Sequence, residues 1–131
     1  DYLTASRFFR QAIDQVADER VSRARSSAHN NLSVIYRALR LDDRGIEQLR
    51  LAIAAREPDD RSLATPYTNL AVSLSILDRR AEAEEAMREA YRHAGDSPVD
   101  IAVVRGNHAG LGARWHPEAS IRMAAEAEPV M

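Results

Sequence analysis

Three asparagines mark the chain at a fixed interval: Asn31, Asn69 and Asn107 stand 38 residues apart, twice over. The first two open Asn31-Leu32-Ser33 and Asn69-Leu70-Ala71, and the third opens Asn107-His108-Ala109. Between them runs a second signal, a small residue, a bulky one four later and then Ala three beyond. It reads Ala5-Phe9-Ala12, Gly45-Leu49-Ala52, Ala83-Met87-Ala90 and, more weakly, Ala119-Met123-Glu126. Two alternating signals at this period describe a unit made of a pair of helices, stacked on copies of itself.

Apolar spacing supports helices throughout. Ala28, Leu32, Ile35, Tyr36 and Leu39 share one helical face, as do Tyr67, Leu70, Ala71, Leu74 and Leu77. Ala83, Ala86, Met87, Ala90, Tyr91 and Ala94 line a third, and Ala5, Phe9, Ala12, Ile13 and Val16 a fourth. Composition agrees, since 23 Ala and 18 Arg dominate while aromatics make up only 5%. Pro58-Asp59-Asp60 ends one helix, Thr65-Pro66 and Ser97-Pro98 each look like an N-cap followed by a first-turn Pro, and Gly95 suits a C-cap. Leu41-Asp42-Asp43, Asp78-Arg79 and His116-Pro117 read as turns within pairs. The prediction is seven helices, near 2–22, 27–40, 44–57, 66–77, 80–94, 98–112 and 117–127.

A large residue, then Leu-small, then an aromatic, followed by the small–bulky–Ala signal, resembles the tetratricopeptide repeat family. In one unit the pattern falls on His29, Leu32, Ser33, Tyr36, Gly45, Leu49, Ala52 and Pro58. In the next it falls on Tyr67, Leu70, Ala71, Leu74, Ala83, Met87 and Ala90. The third unit departs from it, with Arg105, His108 and Gly112 at apolar positions. The family's common period is about 34 residues, so the longer unit here is closer to the extended repeats of kinesin light chains and many bacterial regulators. The resemblance implies an all-α, right-handed α-solenoid of antiparallel helix pairs forming one domain. Its parts are a leading half-repeat over 1–25, repeats over 26–60 and 61–96, and a degenerate repeat over 97–131. Asp1-Tyr2 resembles the start of the family's second helix, which implies that more chain precedes the half-repeat.

Several function classes are excluded by residue type. Every basic residue is Arg, so no Schiff-base lysine or lysine-containing P-loop exists, and the absence of Cys removes thiolate chemistry and disulfides. His29, His93, His108 and His116 form no metal-binding pair, and Gly106, Gly110 and Gly112 follow no strand, so they read as small helix residues rather than a phosphate loop. The acidic groups Asp42-Asp43, Asp59-Asp60 and Glu82-Glu84-Glu85 suit turns and helix starts. Eighteen basic against 20 acidic residues give a net charge of −2, and acids interrupt the run Arg20, Arg23, Arg25, which argues against nucleic acid. No apolar run approaches the roughly 20 residues that span a bilayer. No enzyme activity, cofactor or metal is expected; a reducing cytoplasm fits the lack of Cys, and the Ala and Arg excess suits a GC-rich bacterial genome.

In a regular solenoid, residues one period apart occupy equivalent places, so Asn31, Asn69 and Asn107 are expected to form a row. The family resemblance implies that this row faces a concave groove, where amides engage the backbone of an extended peptide. Its expected neighbours are Asn30, Val34 and Arg37, then Thr68, Val72 and Ser75, then Arg105. The expectation is therefore a non-catalytic scaffold or adaptor whose groove holds a peptide segment or helix of a protein partner. Competing readings are a sensor module of a larger bacterial transcription factor or signalling ATPase, and a self-assembly module pairing through exposed solenoid ends.

Overall fold

The computed structural model describes residues 1–115, and among these the chain is all-helical. Five α-helices follow in order: α1 Tyr2–Ala38, α2 Asp42–Ala54, α3 Ala64–Ile76, α4 Arg80–Ala94 and α5 Pro98–Trp115, with one 3-10 turn, Arg61–Leu63, ahead of α3. The C-terminal third of α1 packs on α2, α3 packs on α4, α2 joins the two pairs, and α5 lies against both α3 and α4. The expected helix 117–127, the His116-Pro117 turn and the signal at Ala119-Met123-Glu126 lie outside the described residues.

The largest departure from expectation is at the start. A break near residues 23–26 was expected, yet α1 is continuous over 37 residues. Arg23-Ala24-Arg25-Ser26-Ser27 contains neither Pro nor Gly, so nothing there opposes the helix. Ser26 does not compete for its own backbone. Buried, it donates its hydroxyl to the Ala52 carbonyl 2.8 Å away and so ties α1 to α2.

The helix ends are set by local chemistry. Leu41 N–H bonds the Tyr36 carbonyl and Arg40 N–H the Arg37 carbonyl, with Arg40 at φ 61°. Arg79 and Asp78 repeat the arrangement on Leu74 and Ser75, with Asp78 at φ 57°. Both are Schellman closures, 38 positions apart, held by residues other than Gly. Asp42 and Asp43 begin α2 rather than forming a turn, and their charge suits its N-terminus. α2 ends at Ala54, earlier than expected, and Pro58 lies in the connection.

Thr65 is not the N-cap of α3. The Asp60 side chain caps the preceding 3-10 turn, accepting from Ser62 N–H at 2.9 Å, and Pro66 falls inside the first turn of α3. Gly95 ends α4 at φ 58°, and Ser97 opens α5, its Oγ accepting from Asp100 N–H at 3.3 Å; both agree with expectation.

The core draws on α2, α3, α4 and α5. Ile46 and Leu49 of α2, Leu70, Ala71 and Leu74 of α3, Ala83, Ala86, Met87 and Ala90 of α4, and Val104 and Leu111 of α5 form one cluster. Each fully buried Leu contributes about 1.5–3 kcal/mol of transfer free energy. Gly45 allows the close approach of α1 and α2, because a Cβ there would sit 3.3 Å from the Ser33 carbonyl oxygen. Ala83, 38 positions on, is buried in the core. Of the expected apolar face of α1, Ile35 and Leu39 remain exposed, and so do Phe9, Ile13 and Val16.

Candidate functional site

Helix α3 packs against both α1 and α5. Three clefts border these helices and the connection between α2 and α3. The first, about 440 Å³, lies between Gln15, Asp18, Ser22 and Arg23 of α1 and the segment from Ala54 to Asp60. The second, about 310 Å³, is lined by Ser26, Ser27, Asn30 and Asn31 of α1 together with Ser62, Thr65 and Pro66. The third, about 150 Å³, lies between Thr65, Thr68 and Asn69 of α3 and Asp100, Val103 and Asn107 of α5. Arg56 borders the first and second clefts, and Thr65 borders the second and third.

The asparagines come together, but not as a row of free amides. Asn69 Nδ2 donates to Asn30 Oδ1 at 3.0 Å, and Asn69 Oδ1 accepts from the Arg37 guanidinium at 3.4 Å. These bonds stitch α1 to α3. Asn107 Nδ2 donates to the Val103 carbonyl one turn back at 2.9 Å, although its side chain stays at the surface. Asn31 is exposed on the rim of the second cleft. Asn69 thus spends both ends of its amide inside the protein, while Asn31 faces solvent.

Other expected neighbours fall elsewhere. Thr68 is buried and donates its hydroxyl to the Ala64 carbonyl at 2.7 Å. Ser75 is buried too, and its hydroxyl donates to the Val72 carbonyl at 2.7 Å. Val34 is exposed and Val72 half-buried, and neither they nor Arg37, Ser75 or Arg105 line these three clefts. The charge of exposed Arg105 is felt by Tyr91 of α4.

Sequence reasoning missed Arg56, Thr65 and Asp100 as cleft residues. Arg56 donates from both Nε and Nη2 to the one oxygen Oδ2 of half-buried Asp60. Burial alone would raise the Asp60 pKa, but hydrogen bonds from Ser62 and Arg56, with the Arg56 charge, outweigh it and hold the carboxyl at about 2. The clefts therefore carry a fixed guanidinium, a fixed carboxylate and an array of hydroxyls and amides.

At the far edge, Tyr91 Oη lies 3.0 Å from His108 Nδ1. Burial raises the Tyr91 pKa, opposed by Arg105, and burial lowers that of His108, opposed by Glu84. No group of three His, Asp or Glu is placed to hold a metal ion among the described residues, and no helix among them is long and apolar enough to cross a membrane. Comparison with protein-family models, curated proteins and solved structures finds no match to this chain.

Proposed function

We propose that the protein is a non-catalytic interaction module, a short α-solenoid of the tetratricopeptide kind, that holds a peptide segment of a protein partner in the clefts bordering α1, α3 and α5. The observation that carries this reading is the succession of three clefts, neighbours sharing Arg56 or Thr65 in their walls. An extended strand follows such a track, with its backbone groups meeting the Asn31 amide and the side-chain oxygen of Asn107. Asn69, Asn30 and Arg37 support the track rather than touch the ligand, because their polar atoms already bond one another. A surface built on packed helices is preorganised, which limits the ordering cost on the receptor side. A cytoplasmic setting and the absence of a cofactor belong to the same reading.

The test is selection of binding peptides from a random library displayed on phage, followed by amide chemical-shift mapping on the full chain. Shifts clustered on α1, α3 and α5 are expected, with affinity falling about tenfold or more in Asn31→Ala/Asn107→Ala. Shifts clustered on the outer faces of α2 and α4, or affinity unchanged in that variant, would sink the assignment.

A further inference from the structure

Both ring nitrogens of His93 face carbonyl oxygens. Nδ1 lies 2.8 Å from the Glu89 carbonyl one turn back in α4, and Nε2 lies 2.7 Å from the Pro58 carbonyl in the connection between α2 and α3. The ring is buried and stacked on Tyr67 of α3, their centroids 5.1 Å apart. A carbonyl oxygen only accepts, and a neutral imidazole has a single N–H to give. In a neutral ring, one nitrogen lone pair would therefore point at an oxygen lone pair across one of these two short contacts. Two donated hydrogen bonds need two protons, and so a charged ring.

The surroundings decide whether a charge can stay there. Burial opposes it, and so does the Arg92 guanidinium, whose Nη2 lies 3.4 Å from Nε2. Arg92 is itself engaged by the Glu89 carboxylate, 2.9 Å from Nη2. In favour stand the two charge-assisted bonds, the Glu89 carboxylate 3.8 Å from Nδ1, the face of Tyr67, and the negative end of α4, in whose last turn His93 lies. The charges of the connection are engaged elsewhere: Asp60 pairs with Arg56, Arg61 pairs with Asp96, and Asp59 acts on Arg92.

We propose that His93 is a proton-operated clasp on the connection between α2 and α3, holding Pro58 while the ring carries both protons and releasing it when one is lost to solvent. The geometry also says which proton leaves. Nε2 has a second donor beside it in Arg92 Nη2, whereas Nδ1 has none among the described residues. The neutral ring would keep Nδ1–H on the Glu89 carbonyl, accept from Arg92 at Nε2, and leave the Pro58 carbonyl without its donor. Because the fold binds this proton and the unfolded chain does not need it, the clasp is closed at low pH and opens as pH rises. The segment from Ala54 to Asp60 walls the first cleft, so opening would loosen that wall. The clasp operates whatever occupies the cleft.

The experiment is ring-nitrogen NMR on the isotopically labelled full chain, from about pH 5 upward. Nitrogens bearing a proton resonate far from those bearing a lone pair, so each ring position is read separately. Both His93 nitrogens should be protonated at about pH 7, where a free histidine has mostly shed its second proton. At higher pH the Nε2 proton should be lost, in step with shifts of the Pro58 carbonyl carbon and the Asp59 amide. Arg92→Met removes both the second donor and the repelling charge, and should move the transition up by about half a pH unit or more. Glu89→Gln removes the attracting carboxylate and should move it down by about as much. A lone-pair nitrogen at His93 already present at about pH 7 overturns the proposal. So does a ring that titrates while the Pro58 and Asp59 signals stay still, a proton lost from Nδ1 first, or a transition indifferent to both variants.

Discussion

The first two thirds of α1 and the packed body that follows it carry the same sequence signal with opposite outcomes. Ala5-Phe9-Ala12 matches Gly45-Leu49-Ala52 and Ala83-Met87-Ala90 in spacing and residue class. Yet Leu49 is 0% and Met87 2% exposed, whereas Phe9 is 71% and Ile13 68% exposed. The pattern fixes which face of a helix wants cover. Whether that face is covered depends on a neighbouring helix being there, and among the described residues none covers Phe9 or Ile13.

The contrast is most easily broken by truncating equivalent bulky residues. Leu49→Ala should destabilise the fold by about 2–5 kcal/mol, through lost transfer free energy and the cavity left behind. Phe9→Ala should cost no more than about 0.5 kcal/mol at concentrations where the chain is monomeric. Paired urea melts measure both, and comparable losses in dilute protein would erase the distinction between the regions.

Acid provides a second, smaller test, confined to the body. The folded pKa of Asp60 lies at about 2, below its ordinary value of 3.8, so its contribution is full above 3.8 and is lost as pH falls towards 2. The shift corresponds to about 2–3 kcal/mol. Asp60→Asn should lower stability at neutral pH and flatten its decline between about pH 4 and 2. Urea midpoints across that range would show it, and a decline as steep as in the native chain would remove Asp60 as its source.

The smallest effect concerns α5, where Gly106 and Gly110 sit in helical backbone with nothing within 4 Å of an added Cβ. Gly106→Ala and Gly110→Ala should each stabilise by about 0.5–1 kcal/mol. A thermal melt that does not rise would mean that α5 needs those glycines for a contact outside its described surroundings.

Much of the helical layout was readable beforehand, because Gly95, Ser97-Pro98 and the periodic stripes act within a few residues of where they are written. The bounds of α4 fell where the pattern put them. What escaped depends on distant partners. Ser26 and Ser27 look like an interruption until Ala52 accepts from Ser26, and Thr65 looks like a cap, yet α3 begins one residue earlier, directly after the 3-10 turn that Asp60 caps. Thr68 and Ser75 read as surface residues by polarity, but α3 is flanked by every other helix, and small hydroxyls survive burial by bonding their own backbone. The asparagine spacing put its three members on α1, α3 and α5, and α3 packs against both of the others. It did not reveal that Asn69 would be saturated by Asn30 and Arg37, since a 38-residue interval says nothing about which amide finds a partner.

The connection between α2 and α3 has a consequence for how the molecule opens. The ring nitrogens of His93 lie 2.8 Å from the Glu89 carbonyl oxygen and 2.7 Å from that of Pro58, while the ring stacks on Tyr67 at 5.1 Å. Nearby, Arg61 pairs with Asp96 just past the end of α4. The longest stretch without α-helix between the described helices is thus pinned at Pro58 and Arg61 to the last turn of α4. Those two segments are expected to exchange their amide hydrogens together, as one cooperative unit. A protease probing the folded chain would then find this connection closed to it for as long as α4 keeps its final turn.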